Sequence, residues 1–362
     1  MKITNRLSNL RRKFAEKGLD GVLISQPDNR FYLSGFNGSA GWLLVTANKA
    51  TLATDFRYIE QAKQKATGFE IFKVTGDTAE WLPKLMAGFS LKRLGFEADY
   101  MTVAAYHKIR DMLGRFDPPV SLVPVEGMVD ALRAVKDAEE LELISRAAAI
   151  TDAAYAHVEK VARPGMTELE LAWEIEKFMR ESGSQSVPFD LIVAAGPNAA
   201  LPHAHPSTRV INEGEPVVID IGSKVEGYSS DETRTICLGE PTDQFKKIYD
   251  IVLGAQLTAI AIIKDGMTGE QADALARKVI EEAGYGEAFG HSLGHGVGLA
   301  THEFPRLGPK SADVLTPGMV FTIEPGIYLP EWGGVRIEDL GVLEDGKVKL
   351  ISKADKVSRK GV

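Results

Sequence analysis

The stretch 216-PVVIDIGSKVEGYSSDETRT-235 decides how the second half of this 362-residue chain is read. Val217 to Ile219 form an apolar, β-branched run that favours a strand. Asp220 closes that run, and Asp231 follows beyond a glycine-containing turn. A turn at Val225-Glu226, next to Gly227, folds the chain back on itself. The two aspartates then face each other on antiparallel strands, with Cβ atoms roughly 5 Å apart.

A second stretch, 318-GMVFTIEPGIYLPEWGGVRIED-339, repeats the logic. Glu324 and Glu338 share a midpoint at Glu331, beside the turn-forming Trp332-Gly333-Gly334. Both glutamates sit in apolar strand text, so side-chain alternation aims both inward. Four carboxylates facing one interior repel each other unless something neutralises them. Two divalent cations do so, four charges of −1 against two of +2. Solvated strand-end acids in salt bridges would explain any one of these residues, but not two matched pairs beside a histidine cluster.

That cluster is the third signal. Five of the seven histidines (His203, His205, His291, His295 and His302) lie in the strand- and glycine-rich text of the second half. His107 and His157 lie in helix-like text and read as structural or surface residues. The run 291-HSLGHGVGLATH-302 carries close-set glycines, which let backbone approach backbone or ligand. It lacks the full dinucleotide fingerprint, and neither a P-loop nor the HExxH zincin pattern occurs. Four carboxylates with one imidazole form a hard-oxygen set suited to Mn(II), Co(II) or Zn(II).

Outward from these motifs the chain reads as two domains, 1–130 and 131–362. Residues 1–18 form an amphipathic helix through Leu7, Leu10 and Phe14. Strands follow at Gly21–Ile24, Trp42–Thr46, Ala50–Thr54 and Ile71–Val74, with a helix at Ile59–Ala66, the alternation of an α/β domain. The proline-bearing segment Phe116–Asp130 is the linker candidate. Long helices are expected from Ala138, from Thr167 (an N-cap with Glu170 three residues on) and near 269–284. With antiparallel strands between them, the second domain is α+β. A formal charge of −8 leaves no broad footprint for nucleic acid or anionic membrane. No run approaches the roughly 18 apolar residues of a membrane helix, and the N-terminus lacks the apolar stretch of a secretory signal. The single cysteine, Cys237, excludes internal disulfides and fits a reducing cytosol.

The ordered set Asp220, Asp231, His295, Glu324, Glu338 resembles the ligand set of the pita-bread metallopeptidases. The surrounding text (LPHAHPS at 201–207, HSLGHGVGLATHEFP at 291–305 and both carboxylate stretches) is similar to their proline-specific branch, the Xaa-Pro aminopeptidases and prolidases. NRFYLSGFNGSAGWLLVT (29–46) and LATDFRYIEQA (52–62) resemble the creatinase-type N-terminal domain of that branch. The resemblance implies an α/β creatinase-like domain ahead of a pita-bread domain with an antiparallel sheet and flanking helices. It implies two divalent ions, Mn(II) first. Asp220 would hold one ion, Asp231 and Glu338 would bridge the two, and His295 with Glu324 would complete the other. Glu324 would be the general acid/base. His203, His291 and His302 would line the substrate site, with His302 or His291 donating to the oxyanion. Arg336 would support a metal-bridging carboxylate from behind, and His205 has no matching role. The implied activity is hydrolysis of the bond between an N-terminal residue and proline, in a cytoplasmic homodimer. The N-terminal motifs favour the aminopeptidase over the dipeptidase. Methionine aminopeptidase, a non-catalytic peptide-binding relative and a lyase on the same scaffold fit the retained residues less well.

Overall fold

The computed structural model describes residues 3–356. The chain divides into two compact units, Met1–Arg133 and Ala134–Val362. The first runs α1 (Ile3–Glu16), β1 (Gly21–Ile24), α2 (Pro27–Ser34), β2 (Trp42–Thr46), β3 (Ala50–Thr54), α3 (Ile59–Lys65), β4 (Glu70–Lys73), α4 (Thr78–Met86), β5 (Arg93–Glu97), α5 (Val103–Leu113), β6 (Ser121–Val125) and α6 (Asp130–Arg133). Leu7, Leu10 and Phe14 of α1 are buried, as their spacing predicts, while Met1 and Lys2 of the expected helix lie outside the described residues. The strands form a mixed sheet of order β4-β3-β2-β1-β5-β6, with β1 antiparallel to β2 and parallel to β5.

Two features depart from the sequence reading. Helix α2 has no counterpart in the sequence reading, which places only the turn-rich text SGFNGSAG (34–41) between the strands β1 and β2. Here Pro27 starts the helix, the Gln26 side chain accepts from the Asn29 amide, and Gly35 ends it at φ 73°. The expected linker at Phe116–Asp130 contains β6, the parallel edge strand beside β5. An edge strand tolerates Pro124 because its outer side has no ladder to lose.

The second unit opens with α7 (Ala138–Val161) and α8 (Glu168–Glu181), followed by β7 (Ile192–Ala195), β8 (Pro216–Ile221), β9 (Lys224–Val225), β10 (Tyr228–Ser229) and β11 (Glu232–Cys237). Then come α9 (Asp243–Ile262), α10 (Gly269–Glu282), β12 (Gly294–Gly296), β13 (Glu303–Leu307), β14 (Val320–Ile323), β15 (Gly326–Leu329), β16 (Gly333–Arg336), β17 (Asp339–Glu344) and β18 (Lys347–Leu350). Capping boxes begin α7 (Asp137 with Glu140), α8 (Thr167 with Glu170) and α10 (Thr268 with Gln271). The α+β arrangement is the expected one. Leu171 and Ile175 of α8 share a core with Val193 and Ile219 of the antiparallel sheet β11-β8-β7. Val252 of α9 and Ala276 of α10 share another with Phe321 and Ile323 of the antiparallel sheet β13-β12-β14-β17-β18. Among the described residues no helix is long and apolar enough to cross a membrane.

The two carboxylate hairpins differ in how closely they match expectation. The first turns at Glu226 (φ 49°) and Gly227 (φ 90°), one residue later than the midpoint argument placed it. A type I′ hairpin turn takes positive φ at both central positions, as here, and Gly227 supplies the second without strain. Asp220 therefore pairs with Thr233, and Asp231 falls opposite Gly222, diagonal to Asp220 instead of facing it. The second hairpin keeps the expected register. Ile323 pairs with Asp339 and Gly326 with Arg336, so Glu324 and Glu338 stand opposite each other where one ladder ends and the next begins.

Candidate metal centre

The strand ends converge on a buried acidic cluster. Asp220 comes from β8, Asp231 from the residue before β11, Glu324 from the break between β14 and β15, and Glu338 from the break between β16 and β17. His295 lies at the centre of β12. Side chains at Gly294 and Gly296 would run into the carbonyls of Thr322 and Phe304, so only glycine lets the neighbouring strands close on His295. The His295 Nδ1–H donates to the Gly296 carbonyl at 3.2 Å, which turns Nε2 toward the acids. Nε2 lies 3.3 Å from Glu324 Oε1 and 3.7 Å from Asp231 Oδ2. One ligand atom each from Asp231, His295 and Glu338 lie within 4.8 Å of one another.

Charge behaves here as crowding predicts. Burial, then the Asp220 charge, pushes the Asp231 carboxyl well above the usual range, and burial, then Asp231, does the same to Glu338. Burial also raises Asp220, against the opposing pull of Arg336. Burial alone would lower His295, but its hydrogen bond to Glu324 and the charges of Glu324 and Asp231 outweigh that and raise it to about 9. Glu324 moves the opposite way, below the carboxylate range: burial favours its neutral form, but His295 outweighs it. A cluster that draws a proton onto its imidazole so strongly attracts positive charge. Asp220 Oδ1 is buried with no hydrogen-bond partner among the described residues, whereas Oδ2 accepts from Arg336 at 2.7 Å. An orphaned buried carboxylate oxygen beside three more carboxylates and an imidazole fits divalent cations well.

Around this set runs a hydrogen-bond frame. Thr233 donates its hydroxyl to Glu338 Oε2 at 2.6 Å, and Thr322 donates to Glu324 Oε1 at 3.0 Å. The Arg336 guanidinium donates to Asp220, to Thr233 Oγ1 at 3.1 Å, to the Tyr328 hydroxyl at 2.9 Å and to the Pro202 carbonyl at 3.3 Å. Arg336 thus supports Asp220. The expectation that it pairs with one of the implied bridging acids, Asp231 or Glu338, is corrected, because the diagonal register brings Asp220 to it. Thr233 and Tyr328 escaped the sequence reading. Their signal was strand periodicity, since Thr233 shares the face of Asp231, and Tyr328 lies four residues after Glu324.

The histidines divide in two ways. His291 Nδ1–H donates to the Ser292 carbonyl at 2.8 Å, so Nε2 accepts from the Tyr328 hydroxyl at 2.9 Å. Burial lowers the pKa of His291, which keeps it neutral in this chain of bonds. From α10, Arg277 donates to the carbonyls of Phe289 and His291, both at 2.8 Å, while its ion-pair partner Asp273 accepts the Leu293 amide. The His302 ring lies 4.0 Å from that of His295, centroid to centroid, and makes no hydrogen bond among the described residues. Burial, then His295, lowers its pKa. Glu303, paired at 2.7 Å with the buried Lys136, accepts the Ala300 amide and shapes the His302 loop. His203 is exposed on the segment whose Pro202 carbonyl reaches Arg336, and His205 is exposed beyond the buried Ala204. His107 lies on α5 beside Tyr106, and His157 on α7 stacks on Phe178 at 4.5 Å.

Comparison with known proteins identifies the family of both halves of the chain. Residues 142–345 match the metallopeptidase family M24 model, and residues 6–135 match the creatinase/prolidase N-terminal domain. The chain is 44% identical over 351 residues to the uncharacterized peptidase YqhT of Bacillus subtilis, covering 97% of this chain and 98% of that one. A solved Xaa-Pro dipeptidase from Bacillus anthracis superposes with TM-score 0.94 at 43% identity, covering 98% of this chain and 99% of that one. An X-Pro aminopeptidase structure from Thermotoga maritima gives 0.89 at 37% identity, covering 97% and 98%. With the catalytic-domain model spanning more than half the chain and relatives matched end to end, this protein belongs to metallopeptidase family M24.

Proposed function

We propose that this enzyme hydrolyses the peptide bond between an N-terminal residue and proline, as an Xaa-Pro aminopeptidase. The observation that carries this reading is the convergence of Asp220, Asp231, His295, Glu324 and Glu338 on one buried cluster. These five side chains would hold two divalent ions, Mn(II) first, which when bound supply Lewis acidity and a nucleophilic water near neutral pH. The division of labour follows the two domains, with the chemistry in 131–362 and the creatinase-like domain in 1–130. The single cysteine supports a cytoplasmic setting, and family resemblance supports a homodimer.

The chain's own residues supply the proton handling. Glu324, held between His295 and the Thr322 hydroxyl, takes the water's proton and passes it to the proline nitrogen as the C–N bond breaks. Both His291 nitrogens are engaged, so His302 is the better donor to the developing oxyanion. His291 and Tyr328 hold the Arg336 side of the cleft. A proline nitrogen carries no N–H in the scissile amide, so recognition falls on shape and on these flanking groups.

A second reading, Xaa-Pro dipeptidase, is supported by the name of the Bacillus anthracis structure. Mass spectrometry of products from Ala-Pro, Ala-Pro-Ala and Met-Ala-Ala with Mn(II) separates the possibilities. Release of Ala and Pro-Ala from the tripeptide supports the aminopeptidase. Cleavage of Ala-Pro alone establishes the dipeptidase, and cleavage of Met-Ala-Ala alone removes the proline reading.

A further inference from the structure

Three buried carboxylates outside the acidic cluster each accept a backbone amide from a segment carrying a candidate substrate histidine. Asp273 serves His291 and Glu303 serves His302, and each has a cationic partner, Arg277 or Lys136. Glu168 serves the segment of His203 and makes no ion pair among the described residues. Its side chain is fully buried at the first turn of α8, where the helix N-terminus favours a negative charge.

Its direct hydrogen bonds all come from neutral donors, and Arg209, whose charge also acts on it, is ion-paired with Glu215 at 2.6 Å. The Ala195 amide donates to Oε1 at 2.7 Å, and the Ser207 amide and hydroxyl donate to Oε2 at 3.0 and 2.6 Å. The Asn198 side-chain amide lies 3.1 Å from each oxygen. Ala195 and Ser207 are the two ends of one segment, whose middle carries Pro202 and His203. One carboxylate therefore ties the base of this loop, and Arg336 holds its apex through the Pro202 carbonyl. A buried carboxylate with no directly bonded cation depends on these donors staying in place, so Glu168 selects a single loop conformation.

We propose that Glu168 is a positioning residue for substrate binding, closing the 195–207 segment so that His203 is presented to the Arg336 side of the cluster. The proposal rests on the Xaa-Pro reading above. The test uses the full-length, Mn(II)-loaded enzyme with Ser207→Ala, which removes one donor, and Glu168→Gln, which places an amide against donors. Steady-state kinetics on Ala-Pro-Ala are compared in the parent and in His203→Ala. The expected result is a KM about tenfold higher for Ser207→Ala, the scale of one lost hydrogen bond to a charged acceptor. Turnover stays within about twofold, metal content is unchanged, and the KM effect disappears when His203 is already alanine. An unchanged KM, or an effect that persists in full on the His203→Ala background, overturns the proposal. Should Glu168→Gln fail to fold, Ser207→Ala decides alone. If the parent cleaves no Xaa-Pro peptide, the functional reading fails separately, and amide hydrogen exchange becomes the readout. Faster exchange confined to 196–207 in Ser207→Ala then upholds the positioning role, and unchanged exchange removes it.

Discussion

Replacing Arg336 with methionine tests how the buried acids are held. Arg336 is 3% exposed, and its guanidinium carries the 2.7 Å pair to Asp220 together with bonds to Thr233, Tyr328 and Pro202. Methionine fills much of the same space without charge or donors. Removing one partner of a buried ion pair leaves the other uncompensated, at a cost of about 3–5 kcal/mol. For a domain of this size each kcal/mol moves Tm by roughly 2–4 °C, so chelated Arg336→Met should melt roughly 6–20 °C below the chelated parent. Saturating Mn(II) should shrink the gap, because bound cations then compensate Asp220. Arg336→Lys keeps the charge but loses the planar fork, and should fall between the two. Calorimetry with and without chelator reads all six states. A chelated Arg336→Met within about 2 °C of its parent would refute the claim that Arg336 carries Asp220.

Other expectations follow from the same geometry. Glu338→Gln keeps shape but removes a charge from the cluster, so elemental analysis should show fewer metals per chain and activity should fall by at least about 10²-fold; full loading would remove Glu338 from the ligand set. His302→Ala should lower kcat about 10²–10³-fold with metal content intact, the scale of one oxyanion donor, whereas a change in KM alone would place His302 in binding only. Burial raises the Cys237 thiol, so at any given pH less of it is thiolate than in the unfolded chain. Native protein should therefore resist iodoacetamide at pH 8 and react only after denaturation, as mass spectrometry would show, and rapid native labelling would contradict the burial.

The legible parts of this chain were those with local causes. The boundaries of α8 and α10 follow from capping boxes at Thr167 and Thr268 and from stripes of apolar residues. Helix α9 gave no such contrast, because long apolar runs in it blur the amphipathic stripe. The Trp332-Gly333-Gly334 turn was placed well enough to put Glu324 opposite Glu338. The first hairpin was misplaced by one residue because the midpoint rule ignores where positive φ is tolerated. Glu226 and Gly227 take it, and that shift moved Asp231 from facing Asp220 to a diagonal position. The Phe116–Asp130 segment shows the limit of composition, since prolines that suggest a linker are equally at home in edge strand β6.

From residue types and their order alone came the α/β and α+β halves, the paired acids, the histidine cluster and the hard-cation chemistry they imply, while the choice of His295 among those histidines came from the family resemblance. Each of these depends on the identity of a side chain or on periodicity along one strand or helix. Only the tertiary structure decided which acid Arg336 supports, that Tyr328 links Arg336 to His291, and that His302 rather than His291 keeps its ring nitrogens unengaged. The Arg336–Asp220 contact joins β16 to β8, and the Tyr328–His291 contact joins β15 to the segment before β12. Partners so far apart along the chain are chosen by sheet register and packing, which no local pattern encodes.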